Sequence, residues 1–274
     1  MITGAARGIG LRIAEAALAA GDRVVATSRD VRALRERFAG NDALLAVALD
    51  VTDEKQAGTA VAAALARFGR IDVLVNNAGF GLLGAVEEAS ADEVRKLYET
   101  NVFGLLNVTR AVLPAMRERR QGHVINISSV GGYRSGPGFG VYCSTKFAVE
   151  ALSESLHGEL APLGVHVTVV EPGYFRTEFL DNTSLTVSPR ILPDYAATAG
   201  AVREAAVHIN LKQPGDPKRL AQAMLALVAS ATPPLRLPMG TDTLQVIAEK
   251  HAFVQAETHA WRALAASTDF PAGE

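Results

Sequence analysis

At 274 residues the chain is long for one domain but within the range of a large α/β unit, and a 49% hydrophobic share is enough for a core packed on two sides. A net charge of -2 gives no basis for a nucleic-acid or polyanion partner. A single cysteine, Cys143, excludes an intramolecular disulfide framework, and no apolar run approaches the roughly 18 residues of a membrane span, so a cytoplasmic protein without a leader is expected.

Only Met1, Ile2 and Thr3 precede Gly4. A strand usually needs about five or six residues, so the first strand is expected to be truncated, at a cost in ladder pairing and core. The turn Thr3-Gly-Ala-Ala-Arg-Gly-Ile-Gly10 follows, leading into a helical pattern over Leu11–Ala20 that Gly21 suits as a stop. Gly4, Gly8 and Gly10 let the backbone turn sharply and approach a pyrophosphate. The helix start beyond them offers free N–H groups and a positive dipole end. The next apolar run, Val24–Thr27, ends in Ser28, Arg29 and Asp30. An acidic residue at this strand end binds the ribose hydroxyls of NAD, whereas a basic one accommodates the 2′-phosphate of NADP. Arg29, with Arg7 as a second cation, favours NADP(H) over NAD(H); Asp30 keeps NAD in play but is read rather as the cap of the next helix.

The run Ala43–Leu49 leads to Asp50-Val51, where Asp50 is either an acceptor for an adenine amino group or a helix cap. A helix over Asp53–Arg67, a strand over Ile71–Val75 and the loop Asn76-Asn-Ala-Gly79 follow. Ser90-Ala-Asp-Glu93 has the form of a capping box and opens a helix read over Ala91–Arg119, which carries Asn101. After the strand His123–Ile127 comes Ser129, and the helix Gly140–Leu160 carries Tyr142 and Lys146. The strand Val165–Val170 runs into Pro172-Gly173. From Thr177 to Gly215 the alternation breaks, with Pro189, Pro193 and Pro214 and a short helical pattern near Tyr195–His208. This excursion is either a functional lid or a surface loop. Asp216-Pro217 opens another helix, and a run Leu235–Pro238 precedes a closing helix through Trp261.

Short runs apolar throughout, alternating with helices, predict strands buried on both faces of a parallel sheet. The fold class is therefore a Rossmann-type doubly wound α/β sheet, read as a single dinucleotide-binding domain over 1–274. Tyr142 and Lys146, four apart, share one helical face. A phenol beside a fixed cation is a tunable proton donor. Its ordinary pKa near 10 must fall by two or three units to work at neutrality, and Lys146 together with the positive charge of an oxidised nicotinamide is expected to supply that shift. The histidines are scattered without ligand spacing, so no metal is expected, and Cys143 is read as a small helix residue rather than a nucleophile.

In joint order and spacing, these motifs resemble the short-chain dehydrogenase/reductase family over nearly the whole chain. The matching pieces are the Thr3–Gly10 turn, Asp50-Val51, Asn76–Gly79, Asn101, Ser129, Tyr142-x-x-x-Lys146, and Pro172-Gly173 with Thr177. The segment Tyr174–Thr177 and the tail around Trp261 are similar to a branch of steroid and retinol reductases. The resemblance implies that Tyr142 is the proton donor or acceptor in carbonyl–alcohol interconversion and that Ser129 bonds the substrate oxygen. It implies that Lys146 also holds cofactor ribose hydroxyls, and that Asn101 holds a water linking Lys146 to solvent. It makes Gly4, Arg7, Gly8, Ile9, Gly10, Ser28, Arg29, Asp50, Val51, Asn77, Ala78, Gly79, Pro172, Gly173 and Thr177 the cofactor seat, with Thr177 on the carboxamide. A homodimer or homotetramer, paired through Ala91–Arg119 and Gly140–Leu160, is likewise implied. Phe80, Phe139, Tyr174 and Phe175 flank the motifs and suggest an apolar carbonyl or alcohol of moderate size. Two other readings share the fold: a non-catalytic dinucleotide sensor, and an acyl-carrier-linked ketoreductase docking on Lys212, Lys218 and Arg219.

Overall fold

The computed structural model of the protein describes residues 1–270. In chain order the strands are β1 (Val24–Ser28), β2 (Leu44–Ala48), β3 (Val73–Asn76), β4 (Gly81–Leu83), β5 (Gly122–Ile127), β6 (Val165–Pro172), β7 (Leu185–Val187) and β8 (Arg236–Met239). The helices are α1 (Gly8–Ala19), α2 (Arg32–Arg37), α3 (Glu54–Phe68), α4 (Ala91–Tyr98), α5 (Gly104–Arg119), α6 (Gly140–Leu160), α7 (Ala201–Ile209), α8 (Pro217–Ala229) and α9 (Thr241–Ala266).

Residues 1–3 take the central strand position. Ile2 bridges Ala26 of β1 on one side and Val75 of β3 on the other, both in parallel. The ladder is closed by Ile2 N–H to Val25 O at 2.8 Å, Thr3 N–H to Val75 O at 3.0 Å and Val75 N–H to Met1 O at 2.8 Å. The main sheet therefore runs β2-β1-Ile2-β3-β5-β6-β8, parallel throughout. Short as this segment is, it joins the two halves of the sheet.

Side chains alternate across the sheet, as a two-residue period requires. Leu74, Val124 and Val167 face a core shared with Val61 of α3 and Val108, Val112 and Met116 of α5. Val75, Ile125 and Val170 face the other core, with Ile13 of α1, Leu34 of α2 and Leu220 and Met224 of α8. Burial on both faces explains why these strands read as continuous apolar runs.

Local signals set several helix ends. Ser90 and Glu93 form a reciprocal capping box on α4, Asp53 accepts from Lys55 and Gln56 N–H at the start of α3, and Asp216 caps α8 ahead of Pro217. The region read as one helix over Ala91–Arg119 is interrupted: Glu99–Phe103 forms a π-turn between α4 and α5, and Asn101 sits within it. A π-turn inserts one extra residue per turn and re-aims the side chains at that level. The stretch 177–215 is largely ordered into β7, α7 and short turns. β7 pairs in parallel with β4, a two-stranded sheet apart from the main one. Arg203 of α7 pairs with the buried Glu88 at 2.6 Å, and Glu88 also accepts from Leu192 N–H at 2.9 Å and Ala85 N–H at 2.7 Å. Among the described residues, no helix is long and apolar enough to cross a membrane.

Candidate active site

The chain passes from Ile2 to β1 and β2 on one side and then returns to β3 on the other. Ligands bind in such sheets at the carboxyl ends of the strands where the order reverses. Two loops meet there: the turn after Thr3 and the Asn76–Gly79 loop after β3. Thr3 fastens them, its Oγ1 accepting from Asn77 N–H at 2.9 Å and Ala78 N–H at 3.0 Å. The Asn77 amide donates to the carbonyls of Thr3 at 2.9 Å and Gly4 at 3.0 Å.

The glycines fit the narrow space. Gly4 and Gly8 have φ of +63° and +56°, values disfavoured for residues with a Cβ. A methyl at Gly4 would stand 2.9 Å from Ala78 Cα, and one at Gly10 would stand 2.7 Å from Gly4 O and closer still to Asn77 Nδ2. At Gly8 a methyl would meet nothing nearer than Thr177 Cβ at 3.9 Å, so this part of the turn faces open space towards Thr177. Helix α1 begins here with no side-chain cap from Arg7, which leaves its first N–H groups facing outward as an anion seat. Ile9 lies in the first turn of α1 and packs on the α1/α8 core.

Around this turn the predicted cofactor residues divide. Arg29 is exposed at the end of β1, after half-buried Ser28, with no side-chain hydrogen bond or ion pair among the described residues. Asp30 is held by Arg32, accepting from its backbone N–H at 2.9 Å and its Nε at 2.9 Å, and the Arg32 guanidinium keeps its carboxyl at about 2. Arg7 instead donates to Thr183 O in the 177–215 excursion. Asp50 Oδ1 accepts from Thr52 N–H at 3.0 Å and Thr52 Oγ1–H at 2.8 Å, a local turn that leaves Oδ2 without a protein partner among the described residues. Val51 is buried against Gly104, and its carbonyl accepts from Asn107. Pro172 ends β6. Gly173 faces the Asp242 carboxylate at the start of α9, which also accepts from Tyr174 N–H at 2.7 Å, and a side chain at 173 would collide with it. Thr177 is buried and accepts from Phe179 N–H at 3.3 Å.

Beside the turn, α6 presents Tyr142 and Lys146 on its buried face. The Lys146 Nζ donates to Ile127 O at the end of β5 at 2.9 Å and lies 5.8 Å from the Tyr142 ring centroid. Burial holds its pKa down to about 8, opposed by the charge of Glu150. Ser129 follows β5, accepts from Gly131 N–H at 3.0 Å and flanks Gly131 together with Tyr142, a methyl there standing 3.4 Å from Ser129 Oγ and 3.6 Å from Tyr142 Cε1. Tyr142 is enclosed by Phe139 and Phe179, with ring centroids 6.0 and 5.6 Å away, and by Leu82. Burial in this apolar shell pushes the phenol well above its ordinary value, and the neighbouring Ser129 hydroxyl opposes that. The lowering expected from Lys146 with the oxidised nicotinamide is thus not reached by the protein's own groups alone. Among the protein's own groups, desolvation dominates, and the ammonium over the ring does not offset it.

Asn101 lies behind this pair. Its Oδ1 accepts from Phe80 N–H at 3.1 Å, and its Nδ2 donates to Phe80 O at 3.0 Å and Thr145 Oγ1 at 3.1 Å. Both ends of the amide are thus engaged by the protein. Asn101 fixes the loop after Gly79 to α6, one residue before Lys146. Gly79 lies against both residues: a methyl on it would stand 3.1 Å from Asn101 Oδ1, tighter than an ordinary contact, and 3.8 Å from Lys146 Nζ.

Sequence reasoning missed Phe179, Thr145 and Asp242, which touch site residues only through the folded chain. It also missed Glu150, although Glu150 stands at i+8 from Tyr142 and i+4 from Lys146. Of the proposed docking cations, Lys212 and Lys218 are exposed, and Arg219 faces Asp216 at 3.9 Å.

The fold and this cluster define an NAD(P)-type Rossmann oxidoreductase. A family model described as short chain dehydrogenase matches residues 1–187. The chain is 39% identical over 266 residues to oxidoreductase BOA17 of Botryotinia fuckeliana, covering 96% of each chain. It is 38% identical to a 3-ketodihydrosphingosine reductase of Bacteroides thetaiotaomicron, covering 88% of this chain and 87% of the relative. Retinol dehydrogenase 8 of Bos taurus is 35% identical, with 91% and 84% covered. Among solved structures, a short-chain dehydrogenase from Streptomyces avermitilis superposes with a TM-score of 0.90 at 44% identity over 98% of each chain. A short chain dehydrogenase/reductase from Burkholderia phymatum in complex with NAD gives 0.81 at 25% identity over 93% of each chain. A serine dehydrogenase complexed with NADP+ gives 0.75 at 31% identity, covering 87% of this chain and 92% of that one. The chain belongs to the short-chain dehydrogenase family and is an oxidoreductase.

Proposed function

We propose that the protein is an NADP(H)-dependent oxidoreductase that interconverts an apolar carbonyl compound and its secondary alcohol. The observation that carries the reading is the buried Tyr142 phenol beside Ser129, one helical turn from a buried Lys146, next to a glycine turn that leaves a helix start open to an anion. When bound, the nicotinamide cofactor supplies or accepts the hydride. The remaining steps fall to this chain. The α1 N-terminus with Gly4, Gly8, Ile9 and Gly10 receives the pyrophosphate, and Lys146 holds ribose hydroxyls. Asp50 and Val51 meet the adenine, Asn77, Ala78 and Gly79 line the adjoining wall, and Pro172, Gly173 and Thr177 hold the nicotinamide end.

Ser129 orients the substrate oxygen and donates to it as negative charge develops there. Tyr142 delivers the proton to that oxygen in reduction and removes it in oxidation. Burial keeps the phenol protonated at neutral pH, the form that donates in reduction. Asn101 secures Lys146 and the Phe80 loop in register.

The NADP(H) preference rests on Arg29 and on the engagement of Asp30. With both Asp30 oxygens held by Arg32, the end of β1 offers a cation rather than a free carboxylate. Arg7 is available from the other side only if it leaves Thr183. Leu82, Phe139 and Phe179 around the phenol support an apolar substrate, as do relatives named for retinol and a ketodihydrosphingosine. The chain is proposed to act as one domain with the 177–215 excursion covering the substrate side. A cytoplasmic location fits its single, buried cysteine. Exposed Phe103 beside α5 and Phe147 on α6 support pairing of copies through those helices, which sedimentation would test.

The test is oxidation of NADPH and of NADH with a panel of long-chain ketones and small charged carbonyls, using the parent and Arg29→Asp. The parent should prefer NADPH and apolar ketones, and the variant should move toward NADH. An unchanged cofactor ratio removes Arg29 from the phosphate site. No turnover across the panel despite cofactor binding would indicate a sensor.

A further inference from the structure

Behind the catalytic pair, α6 carries a third buried polar residue on the same face. Tyr142, Lys146 and Glu150 follow one another at four-residue intervals, and all three are buried. Glu150 is not isolated. Arg236 of β8 makes a close pair with it, contacts the fully buried Glu171 of β6 at 2.9 Å, and also meets Glu154 one turn further along α6. One guanidinium therefore serves three carboxylates. The second oxygens of Glu150 and Glu171, and the hydroxyl of Ser128, have no well-formed partner among the described residues. Ser128 Oγ and Glu150 Oε1 both lie beside Gly132, where a methyl would stand 2.9 Å from Glu150 Oε1 and closer still to Ser128 Oγ. Ser128 itself lies between Ile127, whose carbonyl holds the Lys146 ammonium, and Ser129, which flanks Tyr142.

This group opens away from the cofactor cleft. A cavity of about 700 Å³ lies between α6 and α9, lined by Glu150, Glu154 and Arg236 together with Tyr133, Lys250 and His251. Glu154 at its rim is more than half exposed, so water reaches the cluster from this side.

We propose that Glu150 is a positioning residue for the reaction: its carboxylate, anchored by Arg236 and reached by solvent through the cavity beneath α9, keeps the Lys146 ammonium charged. The groups facing Glu150 divide by sign. Arg236, Lys250 and His251 in its protonated form favour the carboxylate, whereas Glu171, Glu154 and ionised Tyr133 oppose it. Burial and the like charge of Glu171 raise the Glu150 pKa, against the pull of Ser128 and Arg236. Burial lowers the pKa of Lys146, and the charge of Glu150 opposes that. The charge needed beside Tyr142 thus persists to higher pH than burial alone would allow.

The inference rests on the proposed role of Lys146, so its test reads Lys146 directly, without cofactor. In protein labelled with ¹³Cε-lysine, with the Lys146 resonance assigned by its loss in Lys146→Arg, the parent should show two inflections, one from Glu150 and one from its own proton. Glu150→Gln should remove the first and lower the second by about one to two units. Glu154→Gln, on the same arginine but solvated, should leave both in place. A single inflection in the parent overturns the proposal even where Glu150→Gln does not fold. An unmoved Lys146 titration in a folded Glu150→Gln overturns it as well. NADPH affinity of the same variants against pH separates the two layers. A moved Lys146 titration with unmoved binding keeps the Glu150 link and removes Lys146 from the cofactor ribose.

Discussion

Replacing Gly10 by alanine tests how the cofactor turn is held, and the packing gives the size of the effect. The added methyl would stand 2.7 Å from Gly4 O, a backbone atom with little freedom, and 3.1 Å from Asn77 Cγ. Relief requires the Asn77 side chain to move, and that side chain donates to both Thr3 O and Gly4 O. Losing the two bonds costs about 1 kcal/mol each, and overpacking adds about 1–3 kcal/mol. Alanine returns up to about 1 kcal/mol of helix propensity. The net expectation is a loss of about 2–4 kcal/mol, read as a fall in the urea midpoint at constant slope. Gly58 is the matched control. It lies within α3, and a methyl there meets nothing within 4 Å, so Gly58→Ala should stabilise by about 0.5–1 kcal/mol. The same substitution should thus have opposite signs at the two sites. A Gly10→Ala protein within about 0.5 kcal/mol of the parent would refute the Asn77 clamp.

His123 should make the fold acid-sensitive. Burial lowers its pKa from 6.5 to about 4, so between these values the unfolded chain binds the proton and the folded one does not. The associated stability is fully present above pH 6.5 and is lost as pH falls towards 4, up to about 3 kcal/mol. Urea midpoints at pH 7 and 4.5 should show this slope in the parent and a flatter one in His123→Gln. Asn101→Ala removes three hydrogen bonds that tie Phe80 and Thr145, so thermal unfolding should show a loss of about 2–3 kcal/mol. Turnover should fall about a hundredfold as Lys146 loses register. Full turnover in a destabilised Asn101→Ala would make that residue structural only.

Much of the architecture was legible because its signals are local. The helix read over Gly140–Leu160 is α6 to the residue, and Ser90 with Glu93 forms the capping box its spacing announced. The buried parallel strands were visible as apolar runs because both sheet faces carry helices. What the sequence hid depends on distant partners. β4 and β7 are three residues each and exist by pairing with one another across about a hundred residues of chain. The π-turn at Asn101 follows no local breaker, so the surrounding helical pattern concealed it. Tyr142 and Lys146 could be placed on one face from spacing alone. The dominance of burial over the Lys146 charge could not, since it depends on Phe139, Phe179 and Leu82 closing round the phenol. Glu150 was on view as a spacing, but its meaning required Arg236 from the last strand.

Tyr142 is the proposed proton carrier. Single-turnover reduction by NADPH in Tyr142→Phe tests it, since the phenyl ring keeps the packing against Phe139 and Phe179 and removes only the hydroxyl. The rate should fall by about 10²–10⁴-fold with NADPH affinity changed by less than about 1 kcal/mol. Reduction near the parent rate in a variant that still binds NADPH would contradict this role.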